Sequence, residues 1–125
     1  MGLSVTTELV QSHTIKLVLS GRLDTETAHQ LDAEAERAVR DDGMVVVLDL
    51  SDLEYISSAG LRSVFKIKKW AKATGGDFVV LNPTPQVKKV FEIVKAVPVK
   101  SIFNTTEELD DYLDQVQSKV LRGEP

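Results

Sequence analysis

Cysteine is absent from this chain of 125 residues, and histidine occurs only twice, at His13 and His29. Without cysteine there is no disulfide framework, no thiolate nucleophile and no sulfur ligand for zinc. Neither histidine has a second one at metal-ligand spacing, which argues against a zinc centre. Long apolar runs are missing too. The longest, Met44–Leu48, falls far short of the roughly 18 residues that a membrane span needs. The first residues lack the basic, apolar and small-residue order of a secretory signal, so the expected location is cytoplasmic. Neither a Walker A loop nor the dinucleotide-binding glycine fingerprint occurs, and Gly75-Gly76 ends a helical pattern rather than opening one. No cofactor is expected.

What is present is the make-up of one ordinary globular domain, 42% hydrophobic and 27% charged, with a net charge of −4. The charge is unevenly spread. Residues 1–54 hold 4 basic and 11 acidic side chains, residues 55–100 hold 9 and 2, and residues 101–125 hold 2 and 6. A basic middle third between acidic flanks reads as a solvated face or as a docking face for an acidic protein surface. Acidic flanks and the lack of a recognised motif argue against direct contact with nucleic acid.

Apolar periodicity gives the element order. Val5–Val10 and Thr14–Leu19 read as a hairpin of strands joined through Gln11-Ser12-His13, and Ser20–Asp24 as a turn. Asp24 or Thr25 caps a helix whose apolar stripe is Ala28, Leu31, Ala35 and Ala38/Val39. Met44–Leu50 is nearly all apolar and β-branched, the pattern of a strand covered on both faces. A loop over Ser51–Gly60 leads into a second stripe of Leu61, Val64, Phe65, Ile67 and Ala71, on which Lys68 is expected to point inward. Asp77–Leu81 reads as another buried strand. Thr84 and Pro85 open a third helix along Val87, Val90, Phe91 and Val94, which Val97-Pro98 ends. Ser101–Phe103 is a candidate edge strand. Thr105 and Glu108 form a capping box before Leu109, Tyr112/Leu113, Val116 and Val120. The sum is an α/β domain over residues 3–117, a mixed and mostly parallel sheet with helices packed against it, and a frayed tail over 118–125.

The most informative stretch is Asp49-Leu-Ser-Asp-Leu-Glu-Tyr-Ile-Ser-Ser-Ala-Gly-Leu61, which leaves a strand and enters a helix with hydroxyls on its first turn. In parallel sheets, functional residues gather at the carboxyl ends of strands. A hydroxyl there is expected to be exposed beside free amides at the positive end of the helix dipole, a place suited to gaining or losing a phosphate. It is also a place for a helix cap. A serine hydrolase is disfavoured: Ser58 has Gly60 after it but Ile56 where the nucleophile elbow needs glycine, and both histidines precede it. Asp49, Asp52 and Glu54 cluster in sequence but read as solvated or capping carboxylates rather than a cation site. A binding or relay module is the better class, and no catalytic residue is assigned.

That stretch resembles the STAS family, specifically the bacterial anti-sigma factor antagonists. Ser20-Gly21-Arg22-Leu23-Asp24 resembles the family's Gly-x-Leu-Asp turn, Val45–Leu50 its central strand, and Ser58 with Gly60-Leu61 its signature loop. Phe78–Asn82 and Val90-Phe91 resemble its later strand and helix, so the likeness spans about residues 3–117. The resemblance implies a non-enzymatic protein that binds an anti-sigma factor serine kinase and so frees a sigma factor. The kinase phosphorylates one loop serine, which breaks the complex, and a metal-dependent serine phosphatase restores it. Aligned through Gly60-Leu61, that serine is Ser58. The family's loop has an acid before the acceptor and a hydroxyl after it; here these are Ser57 and Ala59, which makes Ser57 an alternative acceptor. The partner-binding positions implied are Asp24, Ser57, Ser58, Ala59, Gly60, Arg62 and Lys66. Arg62, one helical turn after Ser58, is placed to pair with a phosphate there. The alternative is a STAS scaffold or adaptor of a signalling or transport assembly without a phosphoswitch.

Overall fold

Alternation places Ile15, Leu17 and Leu19 on one side of their strand and Val46, Leu48 and Leu50 on the same side of its neighbour, and all six are buried. This shared apolar face organises the molecule. The structure, a computed structural model, describes residues 2–96 and 103–123. Its elements are β1 (Leu3–Gln11), β2 (Thr14–Leu23), α1 (Ala28–Ala38), β3 (Val45–Ile56), α2 (Ser58–Ala73), β4 (Asp77–Leu81), α3 (Pro85–Ala96) and α4 (Thr106–Leu121). The sheet has the order β1-β2-β3-β4; β1 and β2 are antiparallel, and the other two pairs are parallel. The mixed, mostly parallel α/β architecture is therefore as the sequence predicts.

The expectation that β3 is covered on both faces is corrected. Strand order advances β2, β3, β4 in one direction without reversing. Two right-handed crossovers made in the same direction put α1 and α2 on the same face. Leu31 and Ala35 of α1 and Leu61, Val64, Ile67 and Ala71 of α2 are buried with the six strand residues above. The opposite row, Val45, Val47 and Asp49, is only partly buried, and Val79 on the edge strand β4 is exposed. The apolar run that signals two covered faces is in part β-branched residues suited to a pleated surface.

The strands also run further than expected. Gln11 pairs with Thr14, so the hairpin turn is two residues rather than three, and β2 continues through Ser20–Leu23 instead of turning. Gly21 has φ of +103°, and a Cβ there would lie 2.2 Å from the Gly2 carbonyl oxygen. Only glycine fits both conditions. Beside this extension, β3 runs on to Ile56 across two register shifts, where the sequence suggests a loop. β4 stops opposite Asp49, and side chains take up backbone groups that β3 would otherwise leave bare. Thr84 Oγ1 donates to the Leu53 carbonyl at 2.7 Å, and Gln86 Nε2 to that of Glu54 at 3.1 Å.

Pro85 opens α3, and Thr105 Oγ1 caps α4 by accepting from the Glu108 amide at 3.1 Å. Phe65, expected in the core, is 43% exposed and meets Phe91 edge to face; Lys68 is exposed rather than inward. α4 remains helical to Leu121, past the expected start of the frayed tail. The expected helix end at Val97-Pro98 and the strand residues Ser101 and Ile102 lie outside the described residues, and Phe103 is not in a strand. No helix among the described residues is long and apolar enough to cross a membrane.

Candidate functional site

The carboxyl ends of β2 and β3 deliver Leu23 and Ile56 side by side, and the chain then enters α2. Ser57 is the N-cap. Its backbone is extended, its amide donates to the Leu23 carbonyl at 2.9 Å, and its Oγ accepts from the Gly60 amide at 3.2 Å. Ser58 is the first helical residue, and its amide donates to Asp110 Oδ1 at 2.8 Å. Asp110 lies on α4, so a carboxylate from the far end of the chain occupies the start of the α2 dipole.

The expected exposure of these hydroxyls is corrected here. Ser57 is 3% exposed and Ser58 is 6% exposed, and the Ser58 Oγ is buried without a hydrogen-bond partner among the described residues. The reason is α4, which brings side chains from 52 to 61 residues away onto the loop. Gln117 makes two bonds to one residue: its Oε1 accepts from the Ile56 amide at 3.0 Å, and its Nε2 donates to the Ile56 carbonyl at 2.8 Å. The Tyr55 hydroxyl donates to the Asp114 carboxylate, and the Arg22 guanidinium sits 4.0 Å above the Tyr55 ring. Burial, then that bond to Asp114, pushes the Tyr55 phenol well above its ordinary range.

The other expected site residues fall around this core. Asp24 closes the turn before α1: its Oδ1 accepts from the amides of Glu26 and Thr27 at 3.0 and 3.2 Å, and Arg22 lies 3.8 Å from its Oδ2. It is thus a turn cap rather than the N-cap, which is Thr27. Ala59 is half-buried, Gly60 is buried, and Arg62 is exposed on the next turn. Lys66 is drawn sideways to Asp32 of α1, at 3.0 Å. Trp70, at the margin of exposure, lines the shallow groove between α1 and α2 with Asp32, Lys66 and Ile67. Among the described residues no three carboxylates or histidines gather as a metal site.

Asp49 has its own arrangement. Its Oδ1 accepts from the Ser51 amide at 3.0 Å and hydroxyl at 2.8 Å, and Lys16 lies 3.9 Å from Oδ2. The Ser51 amide bond leads in holding its carboxyl below the ordinary range, against some burial. A depressed carboxyl contributes stability above its unfolded pKa of about 3.9, and that contribution is lost as pH falls through the folded value. Asp49→Asn should therefore lower stability at pH 7 by under about 1 kcal/mol and have less effect in the acid range, read by urea melts at the two pH values. An equal loss at both would rule out the charge as the source.

Asp110, Asp114 and Gln117 are site residues that sequence reasoning misses. One signal was available: Gln117 follows Leu113 by four positions and so lies on the apolar stripe of α4, where a polar side chain needs a buried partner.

A mixed sheet with helices on one face and a serine-bearing helix start at its carboxyl edge defines an α/β domain built to present a loop. The chain belongs to the STAS domain family, which matches residues 6–109. It is 38% identical over 89 residues to the Bordetella bronchiseptica protein named "Putative anti-sigma factor antagonist BtrV"; the match covers 71% of this chain and 77% of that one. The anti-sigma factor antagonist SpoIIAA, solved in unphosphorylated form and, as a Bacillus cell fate determinant, in phosphorylated form, is 26% identical with a TM-score of 0.58 in both. These matches cover 71% of this chain and 82% and 81% of those. An anti-sigma factor antagonist from Mycobacterium paratuberculosis, 23% identical, shares the fold at a TM-score of 0.66 over 93% of this chain and 95% of its own.

Proposed function

We propose that this domain is an anti-sigma factor antagonist: it binds an anti-sigma factor serine kinase, releases a sigma factor, and is switched by phosphorylation of Ser58. The domain is the substrate of that chemistry, not an enzyme. The observation that carries the reading is a serine on the first turn of α2, at the carboxyl edge of a parallel strand pair, in a STAS domain 38% identical to BtrV. SpoIIAA, which exists in both phosphorylation states, supports it. Ala59, Arg62 and Lys66 around Ser58, with Asp24 across the strand ends, form the docking surface. The kinase transfers the γ-phosphoryl group of ATP. The serine oxygen bonds to phosphorus, the bond to ADP breaks, and the hydroxyl proton leaves to a base of the kinase. A metal-dependent phosphatase reverses the modification.

A scaffold without a phosphoswitch is the second reading. It is favoured by the burial of both loop hydroxyls and by Ser57 standing where the family has an acid.

Incubation with the cognate kinase and ATP, followed by mass mapping, should place phosphate on Ser58. The wild-type complex should weaken at least about tenfold on adding ATP, a change of about 1.4 kcal/mol. Ser58→Ala should keep the complex intact. A stable complex with neither Ser57 nor Ser58 modified would favour the scaffold, and no complex at all would sink the antagonist reading.

A further inference from the structure

We propose that α4 is a clasp over the loop serines, and that the closed clasp and a phosphate on Ser58 exclude one another. The inference rests on Ser58 being the acceptor. Asp110, Asp114 and Gln117 stand at positions i, i+4 and i+7 of α4 and so share one face. That face meets Ser58, Tyr55 and Ile56. Gln117 bonds the Ile56 backbone in both directions, as a neighbouring strand would. Asp110 takes the Ser58 amide, one of the free N–H groups at the start of α2 to which a phosphate on the same residue would turn.

The Ser58 hydroxyl gains nothing from this closure. It is buried with no partner among the described residues, so the closed state carries an unsatisfied polar group that opening would relieve. Phosphoryl transfer in turn needs the oxygen free to approach the γ-phosphorus in line. Once attached, the phosphate brings about −1.5 to −2 charges against the Asp110 carboxylate, with Asp114 close by on the same face. Both anions cannot hold one amide. The dipole at the start of α2, which the sequence suggests would simply welcome the phosphate, is already satisfied by α4. Phosphorylation therefore reshapes the docking edge by lifting the Asp110–Gln117 face of α4 from it, besides adding charge.

The test places phosphoserine at position 58 of the full chain by genetic-code expansion and follows amide hydrogen exchange. The Ile56 amide, which donates to Gln117, should exchange at least about tenfold faster than in the unmodified chain, and the Leu17 and Leu48 amides of the central strands should not change. Asp110→Asn in the phosphorylated chain should remove most of that difference. In the unmodified chain, Asp110→Ala alone should speed exchange at Ser58 and Ile56. Unchanged exchange at Ile56 in the phosphorylated chain overturns the clasp, as does unchanged exchange in Asp110→Ala. Loss of protection at Leu17 and Leu48 also overturns it, because the phosphate would then break the fold. The phosphate is placed without a kinase, so kinase labelling of Ser58 and the clasp can each fail while the other stands.

Discussion

Gln117→Leu is expected to lower stability by about 2–5 kcal/mol, seen as a lower urea midpoint with an unchanged slope and a melting temperature down by roughly 10 °C. Leucine keeps most of the volume, so the loss comes from hydrogen bonds. The Ile56 amide and carbonyl lie at the buried end of β3, and both are held only through the Gln117 side-chain amide among the contacts described. Leaving each of two buried backbone groups unpaired costs about 1–3 kcal/mol. Gln117→Glu separates geometry from chemistry. A carboxylate still accepts from the Ile56 amide but presents a second oxygen to the Ile56 carbonyl, where only a donor satisfies. Burial and that carbonyl hold the new carboxyl above the ordinary value of about 4.3. A raised pKa gives stability that is present below the unfolded value and is lost as pH rises through the folded one. The Glu variant should thus approach the wild type near pH 4 and fall behind it at pH 7. A Leu variant within about 0.5 kcal/mol of wild type would mean that water replaces the side chain.

How far the sequence speaks depends on whether a feature is local. Alternation in Thr14–Leu19 and the stripes of Leu31/Ala35, Val64/Ile67/Ala71 and Val87/Val90 are set by neighbours a few residues away, and they are legible. So is the arrival of Ser57 and Ser58 at a helix start beside a strand end. The continuation of β3 to Ile56 is not. Asp52 and Glu54 look like loop residues, and only β2 running alongside makes their backbone a strand. The open face of the sheet is equally hidden. Val45 and Val46 are the same residue type, and the direction of strand addition alone decides which of them meets helices. The burial of Ser58 depends on Asp110, far along the chain, so no reading of the loop by itself reveals it. The loop shows where a hydroxyl stands; packing decides whether anything can reach it.

Gly60→Ala is expected to destabilise the domain by about 1–3 kcal/mol, against the gain of about 1 kcal/mol that alanine brings to an unconstrained helix. A Cβ at this position would lie 2.8 Å from both Leu23 Cγ and the Leu23 carbonyl oxygen, and 3.0 Å from Ile56 Cγ1. The Leu23 side chain has rotamers through which to yield. Its carbonyl does not, because it is backbone and already accepts from the Ser57 amide at 2.9 Å. The start of α2 must therefore retreat from the ends of β2 and β3, stretching the Ser57–Leu23 bond and moving the Ser58 amide relative to Asp110. Amide shifts should change at Leu23, Ile56 and Ser58 and fade along α2 beyond its second turn, and thermal melts should show the loss. A variant more stable than wild type would mean that the helix shifts freely, and that α2 is not seated by this contact. The glycine of the loop motif is then explained by a distance. It lets the helix that carries Ser58 lie directly against a strand carbonyl, and that close seat fixes where the hydroxyl stands.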